Sequence, residues 1–228
     1  MARPKEGYRN KAGDAIPGTS DITKRFKDSM PLLFWAFKRG KDGCKKLYEG
    51  YDLDIGTAVH MMAELDMRGD PEEDINYYLA NTLRDPEHIE KARTAFNAFR
   101  QWRAKFHVEA HVQEASLVSE KHQFGGTLDT VALIRNGLGL VDFKTSKEGK
   151  VYPEHLLQLA AYGLLWEENL PNEVLSAGYH LIMLPKDGSK PIHREYSRAD
   201  LEPFRRQFIL LRQAFELDAY CSSAKALA

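Results

Sequence analysis

A short apolar stretch of the chain carries a carboxylate, Asp142, and an ammonium group, Lys144, two residues apart. Because side chains alternate along a β-strand, these two are expected on the same face of one strand. The preceding residues, 126–135, also have the composition of a strand and carry Asp129, and an Asn136-Gly137 turn signal predicts a hairpin. Two acids and a lysine at one sheet edge could bind a hard divalent cation and support cleavage of a phosphodiester.

A salt bridge on the surface of a hairpin has the same spacing, so the neighbouring elements have to decide between the two interpretations. Residues 55–68 predict an amphipathic helix on which His60 and Glu64 lie one turn apart on one face. A lone histidine on a helix is usually structural or solvated. A role for His60 as a metal ligand therefore depends on the acids near it.

Residues 153–169 predict a helix that is apolar on most of its surface, with Gln158 and Tyr162 one turn apart. A buried glutamine needs a hydrogen-bond partner, because leaving its amide unpaired costs free energy. A main-chain group could satisfy Gln158 as well as another side chain could, and the sequence leaves both open.

The predicted strand 108–119 carries an acid, Glu114, on the face that also holds Val108, Ala110 and Val112. An acid facing the core is costly unless it is paired or near a cation. The alternation breaks farther along this strand, which weakens the assignment. The following Gly125-Gly126 pair fits a plain turn, a bulge or a close approach of nucleic acid.

Four short motifs contain these residues and occur in a fixed order along the chain. The combination resembles the RecB-type branch of the PD-(D/E)XK nuclease superfamily over roughly residues 55–167. Each motif alone is weak evidence, but their order and spacing fit that branch. The motifs are Gly56-Thr57-x-x-His60, Gly126-x-x-Asp129, Val141-Asp142-Phe143-Lys144-Thr145-Ser146 and Gln158-x-x-x-Tyr162.

The resemblance implies a role for each matching residue. His60, Asp129, Asp142 and the main-chain carbonyl of Phe143 would be metal ligands, with Mg²⁺ or Mn²⁺ as the ion. Lys144 would be the catalytic lysine. Gln158 and Tyr162 would support the site and contact DNA. Glu64 and Glu114 are further candidates, either for a second ion or for support of the ligands.

The resemblance also predicts an α/β fold with a restriction-endonuclease-like core of helix, three-stranded meander, helix and strand, and the element pattern agrees. We expect one integrated domain with a flexible basic arm (1–19), a mainly helical annex that includes the His60 helix (20–106) and the nuclease core with a C-terminal helix (107–228). Predicted helices span 22–39, 55–68, 71–80, 86–106, 153–169 and 201–220, and predicted strands span 108–119, 124–135, 138–144, 174–184 and 191–196.

Composition limits the class of protein and its cofactors. A chain of 228 residues with 43% hydrophobic and 29% charged residues and a net charge of −1 is ordinary for a globular enzyme. No apolar run has the length of a membrane span, and residues 1–19 lack a secretory signal, so we expect the cytoplasm of a prokaryotic or virus-infected cell. Cys44 and Cys221 are too few for the four-cysteine iron–sulfur cluster of some relatives. They are expected to be reduced thiols, with a disulfide as the alternative.

Basic residues are concentrated near the N-terminus, interleaved with Phe34, Trp35 and Phe37. The aromatic side chains could stack on bases, although inward packing is the more common role for such residues. Lys147 and Lys150, in the loop after the Asp142 strand, could also contact DNA. The basic cluster comprises Lys24, Arg25, Lys27, Lys38, Arg39, Lys41, Lys45 and Lys46.

The resemblance favours an exonuclease that degrades linear DNA in repair or recombination, including relatives of viral origin. A structure-specific endonuclease acting at flaps or branches and a non-catalytic DNA-binding subunit are the alternatives. The chain lacks the phosphate-binding loop of ATP-driven motors, so no ATP is expected. A single-strand-binding or recombination protein is a further candidate partner. His107, Glu109 and His111 alternate like zinc ligands, whereas the other histidines outside the motif have no comparable set of partners.

Overall fold

One five-stranded mixed sheet organises the part of the chain that the computed structural model describes, residues 4–27, 30–41, 53–145 and 150–223. The elements in chain order are β1 (Tyr8–Arg9), β2 (Ala15–Ile16), α1 (Thr19–Arg25), α2 (Met30–Lys41), α3 (Leu53–Arg68), α4 (Glu72–Thr82), α5 (Pro86–Phe106), β3 (Glu109–Ser119), β4 (Phe124–Ile134), β5 (Gly137–Thr145), α6 (Pro153–Asn169), β6 (Gly178–Leu184), β7 (Ile192–Tyr196) and α7 (Arg198–Cys221).

The strands lie in the order β3-β4-β5-β6-β7. The first three form an antiparallel meander, β6 pairs parallel to β5, and β7 pairs antiparallel to β6. A parallel pair needs a crossover connection, and α6 supplies it between β5 and β6. The predicted α/β core of helix, meander, helix and strand is therefore confirmed.

Helices cover both faces of the sheet and create two separate cores. On one face, residues of α3, α4 and α5 pack on Val141 and Phe143 of β5. On the other face, residues of α1, α6 and α7 pack around Leu140. The sequence of β5 encodes this arrangement, because a strand with helices on both faces is apolar on both of its sides. Only the Asp142 and Lys144 side chains interrupt its apolar composition between Leu138 and Lys144.

Most predicted boundaries agree with the structure to within a few residues, and two differ for local reasons. The helix expected over 22–39 is divided into α1, which ends at Arg25, and α2, which begins at Met30. Pro31 fits this second start, because proline is tolerated in the first turn of a helix but disrupts a helix interior. The strand expected from 174 begins at Gly178, whose φ of +85° and bond to the Leu175 carbonyl belong to a turn.

The N-terminal segment is a small hairpin packed on β4, where the sequence predicts a flexible arm. Tyr8 and Ile16 are buried. The Tyr8 hydroxyl hydrogen-bonds Thr127 Oγ1 at 2.9 Å, and the Gly125 N–H donates to the Pro17 carbonyl at 3.0 Å. A Cβ atom on Gly125 would lie 2.2 Å from the Tyr8 ring. The first glycine of the pair therefore makes room for a side chain of the same protein.

Two findings concern the surface. Phe34 and Phe37 of α2 are 68% and 64% exposed, so these two side chains do not have the inward packing that is the more common role, and the Trp35 side chain is outside the described residues. Within the described ranges, no helix combines the length and the apolar character needed to cross a bilayer.

Candidate active site

A chain of polar contacts runs from β5 to α6. The Lys144 ammonium lies 2.6 Å from Asp142 Oδ2 and donates a hydrogen bond to Gln158 Oε1 at 3.0 Å. Gln158 Nε2 in turn donates to the Tyr162 hydroxyl at 2.6 Å. The sequence left open whether a main-chain group or a side chain is the partner of Gln158, and in the structure its partners are side chains. Asp142 is fully buried, so the acid and the amine form an ion pair inside the protein.

Asp129 joins this arrangement from the neighbouring strand. The β4–β5 pairing ends at Thr130–Val141, and Asp129 Oδ2 accepts the next available N–H, that of Phe143, at 3.0 Å. The N–H and C=O groups of one strand residue point to the same side, so the Phe143 carbonyl faces the β4 side as well. This places a main-chain oxygen beside two carboxylates at the point where the two strands part.

His60 approaches the same carboxylate from α3, on the opposite side of the sheet from α6. Its Nδ1 lies 3.4 Å from Asp129 Oδ2, and its ring meets the Phe143 ring edge-on at 6.1 Å. Gly56, one turn earlier, allows the close approach, because a Cβ there would lie 3.2 Å from Thr145 Oγ1. The set of candidate residues is thus assembled from helices on both faces of the sheet.

Buried oxygen atoms without a hydrogen-bond donor provide the test of whether a cation fits. Asp129 Oδ1, Asp142 Oδ1 and Glu114 Oε2 are buried and accept no hydrogen bond, whereas Asp142 Oδ2 faces the Lys144 ammonium. Unsatisfied buried acceptors are rare because they cost free energy. Carboxylate oxygens of this kind are the ligands of hard divalent cations. The donor set therefore fits Mg²⁺ or Mn²⁺.

Glu114 reaches the site because β3 is irregular. The pairing shifts between Ala110 and Val112, and Glu114 itself has a φ of +49°, which is uncommon outside glycine. It lies between residues paired with Leu128 and Thr130, opposite Asp129. Burial, and then the charge of Asp129, raises its pKa to about 7.

Glu64, the other additional acid, belongs to α3 one turn after His60. Its carboxylate lies 3.5 Å from Arg68 and its charge also contributes to the raised pKa of Glu114. Glu64 is therefore near the predicted ligands, but its carboxylate is paired with the Arg68 side chain.

The pKa values of the two buried acids are shifted in opposite directions. Burial raises the pKa of Asp142 to about 6 despite the nearby Lys144 ammonium. Burial alone would also raise the pKa of Asp129. The charge of His60 and its hydrogen bond to Asp129 outweigh burial, so the Asp129 pKa is lowered. The pKa of Lys144 is raised, since the attraction of Asp142 and Asp129 exceeds the cost of burial. Lys144 is consequently an ammonium ion at neutral pH.

The predicted DNA-contacting lysines have different surroundings. Lys24 and Lys27 are exposed, and Lys27 forms an ion pair of 2.6 Å with Glu154 in the first turn of α6. Lys150 is exposed, and its Nζ lies 5.2 Å from the centre of the Tyr152 ring. Lys147 is outside the described residues.

Sequence reasoning missed one histidine beside the site and one histidine cluster elsewhere. Burial, and then the charge of Lys144, lowers the pKa of His155 to about 4. His180, His193 and Glu195 offer ligand atoms within 4.8 Å of one another. No local pattern could reveal either one, because each depends on which strands and helices become neighbours.

The hydrogen bonds of the histidine cluster argue against a metal. The Trp102 indole N–H donates to His193 Nδ1 at 3.3 Å, and His193 Nε2 lies 2.8 Å from His180 Nδ1. The simplest assignment has each ring donating to the next, which occupies the lone pairs that a metal would need. We therefore interpret this cluster as a neutral hydrogen-bonded chain under α5.

The alternating set His107, Glu109 and His111 does not form a zinc site among the described residues. His107 ends α5 in a left-handed conformation, and the pairing shift after Ala110 interrupts the alternation. His111 Nε2 instead lies 2.6 Å from a carboxylate oxygen of Glu173.

Comparisons with known proteins address the same region. A family model of the PD-(D/E)XK nuclease superfamily matches residues 33–222, which include every element from α3 to α7. A solved structure from Eubacterium rectale, named as a candidate exonuclease, superposes with a TM-score of 0.50 and 10% identity over 70% of this chain and 68% of that one. The alkaline exonuclease LHK-Exo from Laribacter hongkongensis gives a TM-score of 0.38 and 13% identity over 73% and 93%. No curated protein matches the chain.

Proposed function

Since the chain belongs to the PD-(D/E)XK nuclease superfamily, we propose that it is a metal-dependent DNA nuclease that degrades linear DNA as an exonuclease. Members of the superfamily generally use divalent metal ions. The observation that carries the proposal is that Asp129 and Asp142 each have a buried oxygen, Oδ1, that accepts no hydrogen bond, next to the Lys144 ammonium. Such an arrangement can accept a cation and a phosphodiester together.

Asp129, Asp142, His60 and the Phe143 carbonyl would hold the cation, with Glu114 as a further ligand. A divalent ion bound there would lower the pKa of the attacking water and would neutralise charge that develops on the phosphate. Because imidazole suits Mn²⁺ better than Mg²⁺, His60 makes Mn²⁺ an effective substitute. Asp129 is fixed for this task by the Phe143 N–H, which occupies one of its oxygens and leaves the other one available.

Lys144 would stabilise the negative charge of the transition state. It is charged at neutral pH and is held by Asp142 on one side and by Gln158 on the other. A pre-oriented cation in a buried site stabilises developing charge without further reorganisation. Tyr162 acts through Gln158, because its hydroxyl accepts the amide hydrogen bond that fixes the orientation of the Gln158 side chain.

DNA as the substrate follows from the superfamily, and exonuclease action from the resemblance of the motifs to stand-alone RecB-type enzymes. The structural neighbour from Eubacterium rectale carries the same designation, although its 10% identity supports the fold alone. Lys24, Lys27 and Lys150 are the described lysines that could contact the strand. The same proposal includes a role for the nuclease in DNA repair or recombination, in a cell or a virus.

A time course with end-labelled DNA tests the proposal. Linear single- and double-stranded DNA, labelled at the 5′ or the 3′ end, is incubated with Mg²⁺, Mn²⁺ or EDTA beside a covalently closed circle. Asp142→Ala and Lys144→Ala serve as inactive controls, with circular dichroism to verify that they are folded. We expect metal-dependent loss of linear strands, an intact circle and no cleavage by either variant.

Each other outcome has a defined meaning. Cutting of the closed circle would assign an endonuclease, including one specific for flaps or branches. Binding without cleavage under any metal would assign a DNA-binding subunit. Wild-type rates in Asp142→Ala or Lys144→Ala would overturn the assignment of the site.

A further inference from the structure

His155 extends the row of polar side chains that faces Lys144. On α6, His155, Gln158 and Tyr162 are separated by three and four residues, a spacing that puts them on one helix face. His155 is the member nearest the start of the helix, about 4.5 Å along the axis from Gln158. Gln158, the next member of the row, accepts the hydrogen bond from the Lys144 ammonium, so the helix face that carries His155 is the face turned toward Lys144.

Its surroundings make His155 a neutral hydrogen-bond donor. The Tyr152 main-chain N–H donates to His155 Nδ1 at 3.4 Å, so the ring proton belongs on Nε2. Burial, followed by Lys144, lowers the pKa to about 4; Lys27 adds to the decrease and Glu154 opposes it. The ring therefore keeps a single N–H at neutral pH and does not exchange protons with a substrate.

Tyr152 places an aromatic surface beside this donor. Its side chain is 42% exposed, and its ring meets the His155 ring edge-on at 5.4 Å and 89°. Lys150 Nζ lies 5.2 Å from the ring centre. Within the described residues, this is an exposed ring that adjoins both a cation and the row of polar side chains on α6.

We propose that Tyr152 and His155 form a binding subsite for the nucleotide adjacent to the cleaved phosphodiester. The Tyr152 ring stacks on the base, and His155 Nε2 donates a hydrogen bond to a phosphate oxygen of the same strand. Stacking on an aromatic side chain tolerates any base, and a neighbouring cation attracts the backbone. The subsite rests on the proposed nuclease function, because it adjoins the residues assigned there.

The subsite has a consequence for the form of DNA that it accepts. A base can stack on Tyr152 only after it has left its stack in a duplex, and unstacking costs free energy. The arrangement therefore fits single-stranded DNA, or the frayed end of a duplex, better than an intact internal segment.

Binding is measured by fluorescence with single-stranded oligonucleotides that contain 2-aminopurine, because stacking quenches the fluorescence of this base. EDTA is present in the assay to prevent cleavage. The variants are Tyr152→Phe, Tyr152→Ala and His155→Ala, and the matched controls are Tyr77→Ala, a 73% exposed tyrosine on α4, and His88→Ala on α5. Tyr152→Phe should keep the quenching and Tyr152→Ala should lose it, with affinity about tenfold weaker. Thermal unfolding establishes that each variant is folded.

Kinetics with two substrates separate substrate binding from a structural role. For an oligonucleotide, Tyr152→Ala and His155→Ala should each raise KM about five- to tenfold with little change in kcat. For bis(p-nitrophenyl) phosphate, a phosphodiester that contains no nucleotide, neither variant should change the rate. The effect of His155→Ala should be equal at pH 6 and pH 8, because the imidazole is neutral at both.

The subsite is overturned if Tyr152→Ala behaves like Tyr77→Ala in both assays, or if His155→Ala removes a limb of the pH profile. Wild-type quenching that is lost in Tyr152→Ala, without cleavage of any DNA, would retain the subsite and reject the nuclease function. Absence of both quenching and cleavage in the wild type would reject both proposals.

Discussion

Asp129 Oδ2 accepts the Phe143 main-chain N–H at 3.0 Å, one residue beyond the last backbone pair of β4 and β5. The carboxylate thus replaces the main-chain partner that Phe143 has lost, while its second oxygen stays buried without a donor. One side chain thus extends the pairing of the two strands and, in the proposed function, would also supply a metal ligand. The structural and the catalytic contributions of Asp129 can be separated by mutation.

Asp129→Asn should abolish metal binding but preserve the fold. The amide oxygen can still accept the Phe143 N–H, whereas the amide nitrogen cannot bind a cation. We expect Mn²⁺ binding, followed by electron paramagnetic resonance, to fall below detection and DNA cleavage to fall at least about 100-fold. Asp129→Ala is the control, since it should also lose about 1–3 kcal/mol of unfolding free energy. Equal stability of the two variants would contradict the structural part of this prediction.

Gln158→Ala should reduce turnover without preventing folding or metal binding. It removes the acceptor that holds the Lys144 ammonium, so Lys144 would be oriented by Asp142 alone. We expect kcat to fall about tenfold, an effect of the size of one positioning hydrogen bond to a charged group. Tyr162→Phe is the matched control: it removes only the hydroxyl that orients Gln158 and should have a smaller effect in the same direction. A larger effect for Tyr162→Phe than for Gln158→Ala would reject this order of action.

The His180–His193 chain should make the protein sensitive to mild acid. Burial, and then His193, lowers the His180 pKa from 6.5 to about 4; Glu195 and the Ala177 carbonyl oppose this shift and Arg135 adds to it. Between pH 6.5 and pH 4, His180 is therefore protonated in the unfolded state but neutral in the folded state. The free energy of unfolding consequently falls as the pH decreases toward 4. The loss attributable to His180 is about 3 kcal/mol at most.

Urea unfolding at pH 7 and pH 4.5 measures this dependence. His180→Gln should be less stable than the wild type at pH 7, because its amide does not reproduce the histidine chain, but should lose less on acidification. His88→Ala, on α5 and outside this cluster, is the control and should keep the wild-type dependence. An unchanged pH dependence in His180→Gln would contradict the prediction.

Gly125→Ala should displace the N-terminal hairpin from β4. The new methyl group would lie 2.2 Å from the Tyr8 ring, and the resulting overpacking costs about 1–3 kcal/mol. Limited proteolysis should then cut within residues 4–19 faster than in the wild type. In Tyr8→Ala the space is empty, so Gly125→Ala should cost less in that background. A double-mutant cycle of unfolding free energies tests this, and strictly additive losses would show that the two residues do not compete for the same space.

The elements that carry the site were predictable because their signals are local. Asp85 accepts a hydrogen bond at the start of α5, and Pro153 opens α6, so both helices have the bounds that the sequence predicts. The alternation of Asp142 and Lys144 also follows from the geometry of one strand. These local patterns, together with the resemblance of the motifs, were enough to predict that these residues lie at one edge of the sheet.

What was not predictable depends on neighbours that are distant in the chain. The φ of +49° at Glu114 and the pairing shift in β3 leave no mark in the composition of that strand. His155 lies near Lys144 only because α6 returns across β5. The N-terminal hairpin was predicted to be an arm because its basic and glycine-rich composition gives no sign of the Tyr8 contact with Thr127, 119 residues later.

The assembly of the site from both faces of the sheet has a consequence for protein synthesis. His60 belongs to a helix on one face and Gln158 to a helix on the other, with Asp142 on the strand between them. A nascent chain that has left the ribosome only as far as β5 already contains both acids and the lysine, but the lysine still lacks its second contact, Gln158 of α6. The complete set of contacts around Lys144 can therefore form only after α6 has been synthesised and has docked on the sheet.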